Sequence, residues 1–274
     1  MIMLKFCFPM YSVMLIDAHA HLDRYLFKRF GKDIAPILKQ IEEYEILTIS
    51  NSMDLTSYKI NRVISRKSEY IVPAFGIHPR NAYKYVDKID LAQRLIRESK
   101  IIGEIGLDHS FVKDKSRYSS QKKVFELFLS ETKNKVISVH TKGAERDVLD
   151  LLRTYGNNRV IIHWYSGSLD ILEEMTKENY YFSISPEVKF SEHIKKIVKG
   201  IPLYQILTET DNPGGPQSYM GKKGMPILVR DVVEEIAKVK EKSLVEIEEI
   251  VQENFARLVE SDPSIHALVM AVGN

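Results

Sequence analysis

The chain has 274 residues, of which 44% are hydrophobic and 28% charged, a composition typical of a globular protein that buries a full core. The 39 Lys and Arg residues nearly balance the 37 Asp and Glu residues, so net charge alone does not indicate a nucleic-acid-binding protein. Cys7 is the only cysteine, which excludes an internal disulfide and favours a cytoplasmic location. No apolar run approaches the roughly 18 residues that a membrane helix needs, so no membrane partner is expected.

The first thirteen residues combine one lysine with a short apolar stretch, as a signal peptide does, but Pro9 and the brevity of the run count against one. The nearest small-residue cleavage pattern surrounds His19, and cleavage there would remove that candidate metal ligand. We therefore expect residues 1–13 to be an N-terminal extension and Met14 to be the functional start.

From Met14 onward, short β-rich apolar runs alternate with longer amphipathic segments. The runs that we predict as strands are 14–17, 45–50, 71–75, 101–105, 136–139, 160–162, 180–183 and 206–208. Most are continuously apolar, as is typical of parallel strands buried on both faces. The clearest helical segments are 33–43, 54–66, 88–98, 118–133 and 144–154. Near the end, Ser243 and Glu246 form a capping box before another helix.

Eight strand–helix units in one chain predict an α/β fold, a single-domain (β/α)8 TIM barrel over residues 14–260 with a C-terminal tail at 261–274. A doubly wound open sheet is the alternative. The glycine-rich phosphate-binding turn that usually follows its first strand is absent, so the barrel is favoured.

Residues with metal-binding side chains follow the predicted strands. In a barrel the C-terminal ends of all strands meet on one face, so such residues become neighbours although they are far apart in sequence. They are His19, His21, His78, Glu104, His140, His163 and Asp211.

One spacing in this set has a direct chemical meaning. His19 and His21 project to the same side of an extended backbone and can chelate one divalent ion, to which Asp211 can add an oxygen ligand. His140 and His163 can hold a second ion. Glu104 can bridge the two, which places them about 3.5–4 Å apart and lets them share an activated hydroxide. The sequence thus predicts two divalent ions, which could be zinc, manganese or magnesium.

Several polar and aromatic residues near the strand ends have two interpretations. Asp17 could orient a ligand histidine or hold a strand end, and Asp108 could cap a loop. Glu209 is expected to turn away from Asp211 through strand alternation, unless the strand bends there. Trp164 could stack on a substrate ring or simply pack. Three further histidines are interpreted as structural or surface residues: His109, His193 and His266.

Six motifs occur in this order: DAHAHLD at 17–23, GIHPR at 76–80, GEIGLD at 103–108, VHTKG at 139–143, HWYSG at 163–167 and ETDNP at 209–213. Together they resemble the TatD family of metal-dependent deoxyribonucleases, which are amidohydrolase-like barrel hydrolases, and the resemblance spans about residues 14–258. It implies the same ligands as the spacing: one ion on His19, His21 and Asp211, the other on His140 and His163, and Glu104 as the bridge.

Three residues are assigned to the catalytic machinery. Glu104 positions the ions, and Asp211 is placed to accept the proton of the nucleophile. His78 matches a family position near the site, and the resemblance implies that it contacts the substrate phosphate, although its position alone fits a hydrogen-bonded rim residue equally well. The chain departs from the family pattern at His109, where an aromatic residue is usual, and at Lys142, where an arginine is usual. A lysine offers a phosphate a point charge and no bidentate fork.

The loops expected on the catalytic face are rich in positive charge. Over 20–32, 107–123 and 212–225 they carry three acidic residues and eleven basic ones, namely Arg24, Lys28, Arg29, Lys32, Lys113, Lys115, Arg117, Lys122, Lys123, Lys222 and Lys223. A positive rim around a two-metal site suits a polyanionic phosphodiester, whereas a merely solvated loop surface is the simpler interpretation.

The leading hypothesis is hydrolysis of DNA phosphodiester bonds, with single strands or strand ends as substrate, by a hydroxide that two metal ions activate. One alternative is hydrolysis of a small ester, lactone or amide on the same barrel. Another is a non-catalytic binding module on a degenerate barrel, which the complete ligand set disfavours. Fold analogy alone would not separate these functions.

Overall fold

The computed structural model describes residues 13–271, which contain eight β-strands in a single sheet. Their bounds are β1 Leu15–Ala20, β2 Ile46–Asn51, β3 Ile71–Phe75, β4 Ile101–Gly106, β5 Val136–His140, β6 Val160–His163, β7 Tyr181–Ile184 and β8 Ile206–Thr208. Each strand pairs in parallel with the next strand in chain order.

The sheet curls until β1 lies beside the end of β8. The amide of Asp211 donates a hydrogen bond to the carbonyl of His19 at 2.8 Å, and the amide of His21 donates to the carbonyl of Asn212 at 2.7 Å. The Thr208 hydroxyl also donates to the carbonyl of Ile16. These bonds join the two outer strands. The predicted single-domain (β/α)8 barrel is therefore confirmed, and the open doubly wound sheet is excluded.

Helices surround the barrel and cover the outer faces of its strands. Their bounds are α1 Ala35–Glu43, α2 Leu55–Ile64, α3 Ile89–Glu98, α4 Tyr118–Glu131, α5 Glu145–Tyr155, α6 Leu169–Lys177, α7 Glu192–Gly200, α8 Gly214–Met220, α9 Leu228–Lys240, α10 Leu244–Leu258 and α11 Pro263–Ala271. No helix within residues 13–271 is long and apolar enough to cross a membrane.

The barrel core explains why the strand sequences are continuously apolar. One face of each strand fills the barrel and the other packs against the helices, so Ile102, Ile137 and Ile161 are all fully buried. On the outside, helices bury one stripe only, as α5 does with Val148 and Leu152. The barrel is thus a rigid support whose polar side chains are concentrated at one mouth.

Predicted and observed element bounds differ mainly at strand ends. β1 continues through Ala20, so His19 belongs to the strand itself. The capping box at α10 is confirmed, because the Ser243 hydroxyl accepts a hydrogen bond from the Glu246 amide at 3.2 Å and the Glu246 carboxylate accepts one from the Ser243 amide at 2.8 Å.

Of the two predicted terminal segments, the structure describes mainly the C-terminal one. Residues 1–12 of the N-terminal extension and residues 272–274 lie outside the described part of the chain, so the proposed start at Met14 stays a prediction. The segment assigned to a C-terminal tail contains α11, which packs against α10. Ile265 and Val269 are buried there because a spacing of four places both side chains on one face of the helix.

Candidate metal centre

All seven residues with predicted roles lie together at the C-terminal mouth of the barrel. Six of them line one cavity of about 620 Å³, namely His21, His78, Glu104, His140, His163 and Asp211. His19 lies beneath them and is fully buried. The side chain of Asp211 is 15% exposed and that of Glu104 only 2%, so Asp211 is the carboxylate that the cavity reaches more readily.

The carboxylate of Glu104 stands at the centre of the cluster. Its Oε2 lies 3.6 Å from Nε2 of His19 and 3.4 Å from Nε2 of His21. Its Oε1 lies 2.7 Å from Nδ1 of His140 and 3.7 Å from Nε2 of His163. The two oxygens therefore face the two histidine pairs that the sequence assigns to different ions, as a bridging carboxylate must.

The backbone of Glu104 is fixed by its neighbours in the barrel. Its amide donates to the carbonyl of Ser52 at 3.0 Å, and the amide of Ser52 donates to the carbonyl of Gly103 at 2.9 Å. On the other side, Gly76 lies so close that a methyl group on it would overlap the backbone of Glu104. A glycine is needed there because no side chain fits between β3 and β4.

Two histidines are held in the tautomer that metal binding requires. Nδ1 of His21 lies 3.0 Å from the carbonyl of Asn51, and Nδ1 of His163 lies 2.8 Å from the carboxylate of Glu209. Since a carbonyl or carboxylate only accepts, in the neutral rings each Nδ1 carries the proton and each Nε2 keeps a free lone pair. Both lone pairs face Glu104. This donor set fits a divalent ion.

His78 is held in the opposite way. Its Nδ1 accepts a hydrogen bond from the amide of Arg80 at 3.0 Å, so in the neutral ring the proton sits on Nε2. That Nε2 lies 3.5 Å from Oε1 of Glu104. An N–H aimed into the site suits a hydrogen bond to substrate better than metal ligation.

His140 lies between two carboxylates. Its Nδ1 faces Glu104 and its Nε2 lies 3.2 Å from Oδ2 of Asp108. The other oxygen of Asp108 accepts hydrogen bonds from the amides of Ser110, Phe111 and Val112. Asp108 is thus a loop cap, as the sequence suggested, and also a direct partner of a candidate ligand. His78, Asp108 and His140 form a third group with metal-ligand spacing.

Asp211 reaches the site through a turn of the backbone after β8. Its φ of 47° lies in the left-handed region, and its Oδ1 is 3.3 Å from Nε2 of His21. A methyl group on Gly215 would lie only 2.7 Å from Oδ2 of Asp211, so the glycine makes room for the carboxylate. His19, His21 and Asp211 have the spacing of a metal site, and so do His19, Glu104 and His163. The ring centres of His19 and His163 lie 3.6 Å apart.

The electrostatics of the cluster favour bound positive charge. Burial alone would lower the pKa of His21, but hydrogen bonds to Asp211 and Glu104 raise it to about 10. In the same way, burial opposes protonation of His140 while Asp108 and Glu104 raise its pKa to about 9. Burial raises the pKa of Glu104, yet the surrounding histidines hold it well below its usual range. A divalent ion would take the place of these ring protons.

Glu209 contacts a candidate ligand, a role that the sequence analysis did not assign to it. The expectation that it turns away from Asp211 stays a prediction, and Glu209 does not line the cavity that Asp211 lines. Its buried carboxylate accepts hydrogen bonds from His163 and from the hydroxyl of Ser183.

Asp17 holds a strand end, because its carboxylate accepts hydrogen bonds from the amide and the hydroxyl of Thr210 at 2.9 and 2.6 Å.

The positive charge of the cavity wall comes only partly from the predicted loops. Of the eleven basic residues, Arg24 and Arg29 line the cavity, and they are joined by Arg80 and Lys142. Lys122 and Lys123 belong to α4, so the predicted loop ends before them. The signal for Arg80 was available, since it follows His78 by two residues in GIHPR.

Lys142 and Trp164 form one unit on the opposite wall. The Lys142 ammonium donates to the carbonyl of Trp164 at 2.8 Å and to the hydroxyl of Ser166 at 2.7 Å, and it lies 4.8 Å from the centre of the Trp164 ring. The indole N–H donates to Glu187 at 2.5 Å. His109, the other departure from the family pattern, stacks on Tyr118 at 3.9 Å and does not line this cavity.

A (β/α)8 barrel with histidines and carboxylates gathered at the C-terminal ends of its strands defines the class of metal-dependent barrel hydrolases. Residues 16–260 match the family model described as TatD related DNase, and the chain belongs to that family. It is 32% identical over 251 residues to an uncharacterised metal-dependent hydrolase of Methanocaldococcus jannaschii, covering 89% of this chain and 96% of that relative. Over 265 residues it is 28% identical to the deoxyribonuclease TATDN3 of Homo sapiens, covering 90% and 95% of the two chains.

Solved structures agree on the fold. The TatD homologue YJJV of Escherichia coli superposes with a TM-score of 0.80 at 20% identity, covering 91% of this chain and 98% of its own. A TatD family hydrolase of Entamoeba histolytica gives a TM-score of 0.76 at 20% identity, with 90% and 98% covered.

Proposed function

We propose that this protein is a deoxyribonuclease that hydrolyses phosphodiester bonds with two divalent ions. The observation that carries the proposal is the arrangement around Glu104, whose two oxygens face separate histidine pairs on the floor of a cavity with cationic walls. Such a floor is suited to ions, and such walls are suited to an anionic substrate. The deoxyribonuclease named among the relatives is consistent with this proposal.

The ions would polarise the phosphoryl oxygens and lower the pKa of water at the site. The chain itself would do three things. Glu104 and the Nε2 atoms of His21 and His163 would hold the ions, and the Nε2–H of His78 would donate to a phosphoryl oxygen. Asp211, the more exposed carboxylate, would accept the proton of the attacking water, as its placement after the last strand predicts.

The shape and lining of the cavity favour a single strand or a strand end. A cavity of about 620 Å³ has the volume of a small-molecule site, so a duplex would have to present unpaired nucleotides to it. Phe111, on the cavity wall, is 63% exposed, and Trp164 also lines the cavity. Exposed aromatic rings stack on bases irrespective of sequence.

The second candidate is hydrolysis of a small ester, lactone or amide by the same centre. No described residue favours it over DNA, because neutral small substrates have no use for the four cations that line the cavity. It therefore serves as the competing outcome of the test.

The test compares substrate classes on one protein preparation. Labelled single-stranded DNA, duplex DNA, bis(4-nitrophenyl) phosphate and a panel of carboxylic esters and lactones would be assayed with added zinc, manganese or magnesium. We expect metal-dependent cleavage of the single strand and of the phosphodiester, and none of the panel. Turnover of an ester or lactone without DNA cleavage would overturn the proposal.

A matched variant links the activity to the proposed centre. His19→Ala combined with His21→Ala should abolish DNA cleavage while circular dichroism still shows a folded barrel. His193→Ala removes an exposed imidazole whose Nε2 lies 3.3 and 3.0 Å from the carbonyl oxygens of Ser166 and Gly167, and it should leave cleavage unchanged.

A further inference from the structure

Three arginines line the cavity beside the metal centre. Arg24 and Arg29 follow β1, and Arg80 follows β3. They are close enough in space that, besides burial, the charges of Arg24 and Arg80 both lower the pKa of Arg29. Three like charges in one place are unfavourable unless something negative joins them.

Their positions relative to the centre follow from their contacts. A methyl group on Gly214 would lie 3.3 Å from Nη1 of Arg24, and the next residue, Gly215, packs against the carboxylate of Asp211. The guanidinium of Arg29 lies 4.7 Å from the centre of the Phe30 ring. Phe30 also lies against Gly214, so both guanidinium groups are on the Asp211 side of the site.

The third arginine, Arg80, lies on the His78 side of the site. The amide of Arg80 donates to Nδ1 of His78, whose other nitrogen faces Glu104. The three arginines together therefore extend from Asp211 to His78 along the rim of the centre. Lys142 is on the other wall, where Trp164 and Ser166 already engage its ammonium group.

Within residues 13–271 none of the three guanidinium groups forms an ion pair within 4.0 Å or a side-chain hydrogen bond, and Nε of Arg24 is buried without a partner. The buried carboxylate of Asp23 senses the charge of Arg24 but makes no such contact with it. Five other arginines are each paired with a carboxylate, namely Arg94, Arg117, Arg146, Arg153 and Arg159. A planar guanidinium matches two phosphate oxygens at once.

We infer that Arg24, Arg29 and Arg80 form a second phosphate subsite, separate from the position of the phosphate that is hydrolysed. The preferred substrates would then carry a further phosphate next to the scissile bond, either a neighbouring phosphodiester or a terminal phosphate monoester. This inference rests on the proposed phosphodiesterase function for its meaning in catalysis, but the binding of phosphate can be tested without turnover.

The experiment uses dithymidine with one internal phosphodiester in three forms: with no terminal phosphate, with a 5′-phosphate and with a 3′-phosphate. For the wild-type protein we expect kcat/KM for at least one phosphorylated form to exceed that of the unphosphorylated form by about tenfold or more, as for hydrogen bonds to charged groups. The phosphorylated form with the higher kcat/KM identifies the side of the scissile bond on which the subsite lies.

Two triple variants separate the subsite from general charge. Arg24→Gln, Arg29→Gln and Arg80→Gln together should reduce the ratio between phosphorylated and unphosphorylated substrate to below about twofold. The control removes three exposed cations from the opposite face, where the strands begin: Arg66→Gln, Lys67→Gln and Lys133→Gln. It loses the same charge and should keep the ratio. Should the first triple variant not fold, Arg29→Gln alone, on an exposed side chain, should still lower the ratio severalfold.

A binding arm separates failure of the subsite from failure of the proposed function. Phosphorothioate-linked dithymidines with and without the terminal phosphate would be titrated into the wild-type protein and both triple variants by calorimetry. Tighter binding of the phosphorylated form that only the arginine variant loses supports the subsite, even if no phosphodiester is cleaved. A wild-type ratio below twofold in binding, or one that the arginine variant retains, would overturn it.

Discussion

Oε2 of Glu209 lies 2.8 Å from Nδ1 of His163, and both groups are buried, His163 as part of the cavity lining. The carboxylate fixes the proton of the imidazole on Nδ1 and turns Nε2 toward Glu104. Glu209 therefore acts on the metal centre through another side chain. It is a positioning residue for one candidate ligand.

Glu209→Gln should weaken metal binding while leaving the barrel folded. The amide keeps the shape of the side chain but replaces the carboxyl group that accepts the Nδ1 proton of the ring, and loss of such a partner costs about 10- to 100-fold in metal affinity. Metal titration followed by calorimetry measures the effect. Glu187→Gln is the control, because Glu187 also lines the cavity and its carboxylate accepts the indole N–H of Trp164, which is not a candidate metal ligand. Equal metal affinity in wild type and Glu209→Gln would contradict the assigned role.

Asp108 combines a structural and an electrostatic role that two substitutions should separate. Asp108→Asn can keep the oxygen that caps the amides of Ser110, Phe111 and Val112 but loses the charge facing His140. We expect a nearly unchanged melting temperature and weaker metal binding. Asp108→Ala removes both and should also lower the melting temperature by several degrees, since buried amides lose their acceptor. A similar melting temperature for both variants would show that the loop does not depend on the cap.

The contact between Gly76 and Glu104 predicts a coupled loss of stability and metal. Gly76→Ala forces a methyl group against the backbone of Glu104, and we expect it to lower the free energy of unfolding by about 1–3 kcal/mol and to displace the bridging carboxylate. Gly156→Ala is the control. Its φ of 71° means that alanine should also lower the free energy of unfolding by about 1–2 kcal/mol, but the added methyl group would meet no atom within 4 Å. Only the first variant should bind metal more weakly, as measured by titration alongside urea unfolding.

Trp164 offers an optical test of where substrate binds, because it is the only tryptophan of the chain and lines the cavity. Titration with single-stranded oligonucleotide should change its fluorescence saturably, since bases or phosphates would alter the surroundings of the indole. Trp164→Phe should remove the signal. Binding detected by anisotropy of a labelled oligonucleotide, with no change in tryptophan emission, would place the DNA elsewhere on the surface.

The fold and the central residues were accessible from sequence because they depend on local patterns. Continuous apolar runs mark buried parallel strands, and residues just beyond such runs must meet at one mouth. These patterns predict that His19, Glu104 and Asp211 lie together, although up to 192 positions separate them in the sequence.

Other features depended on the exact path of the backbone. The positive φ of Asp211 turns its side chain into the site, and no sequence pattern predicts that φ. Glu209 contacts His163 from a position beyond the last residue of β8, where strand periodicity no longer applies. The selection of Arg24 and Arg29 from the many basic residues follows from loop packing against Phe30 and Gly214, and that of Arg80 from its backbone contact with His78, which composition does not record.

The most direct test of the two-metal account is anomalous diffraction from crystals grown with Mn²⁺. We predict two peaks about 3.5–4 Å apart, one on either side of the Glu104 carboxylate. His19, His21, Asp211 and Oε2 of Glu104 should coordinate one ion. His140, His163 and Oε1 of Glu104 should coordinate the other. A single peak, or two peaks that do not share Glu104, would contradict the account.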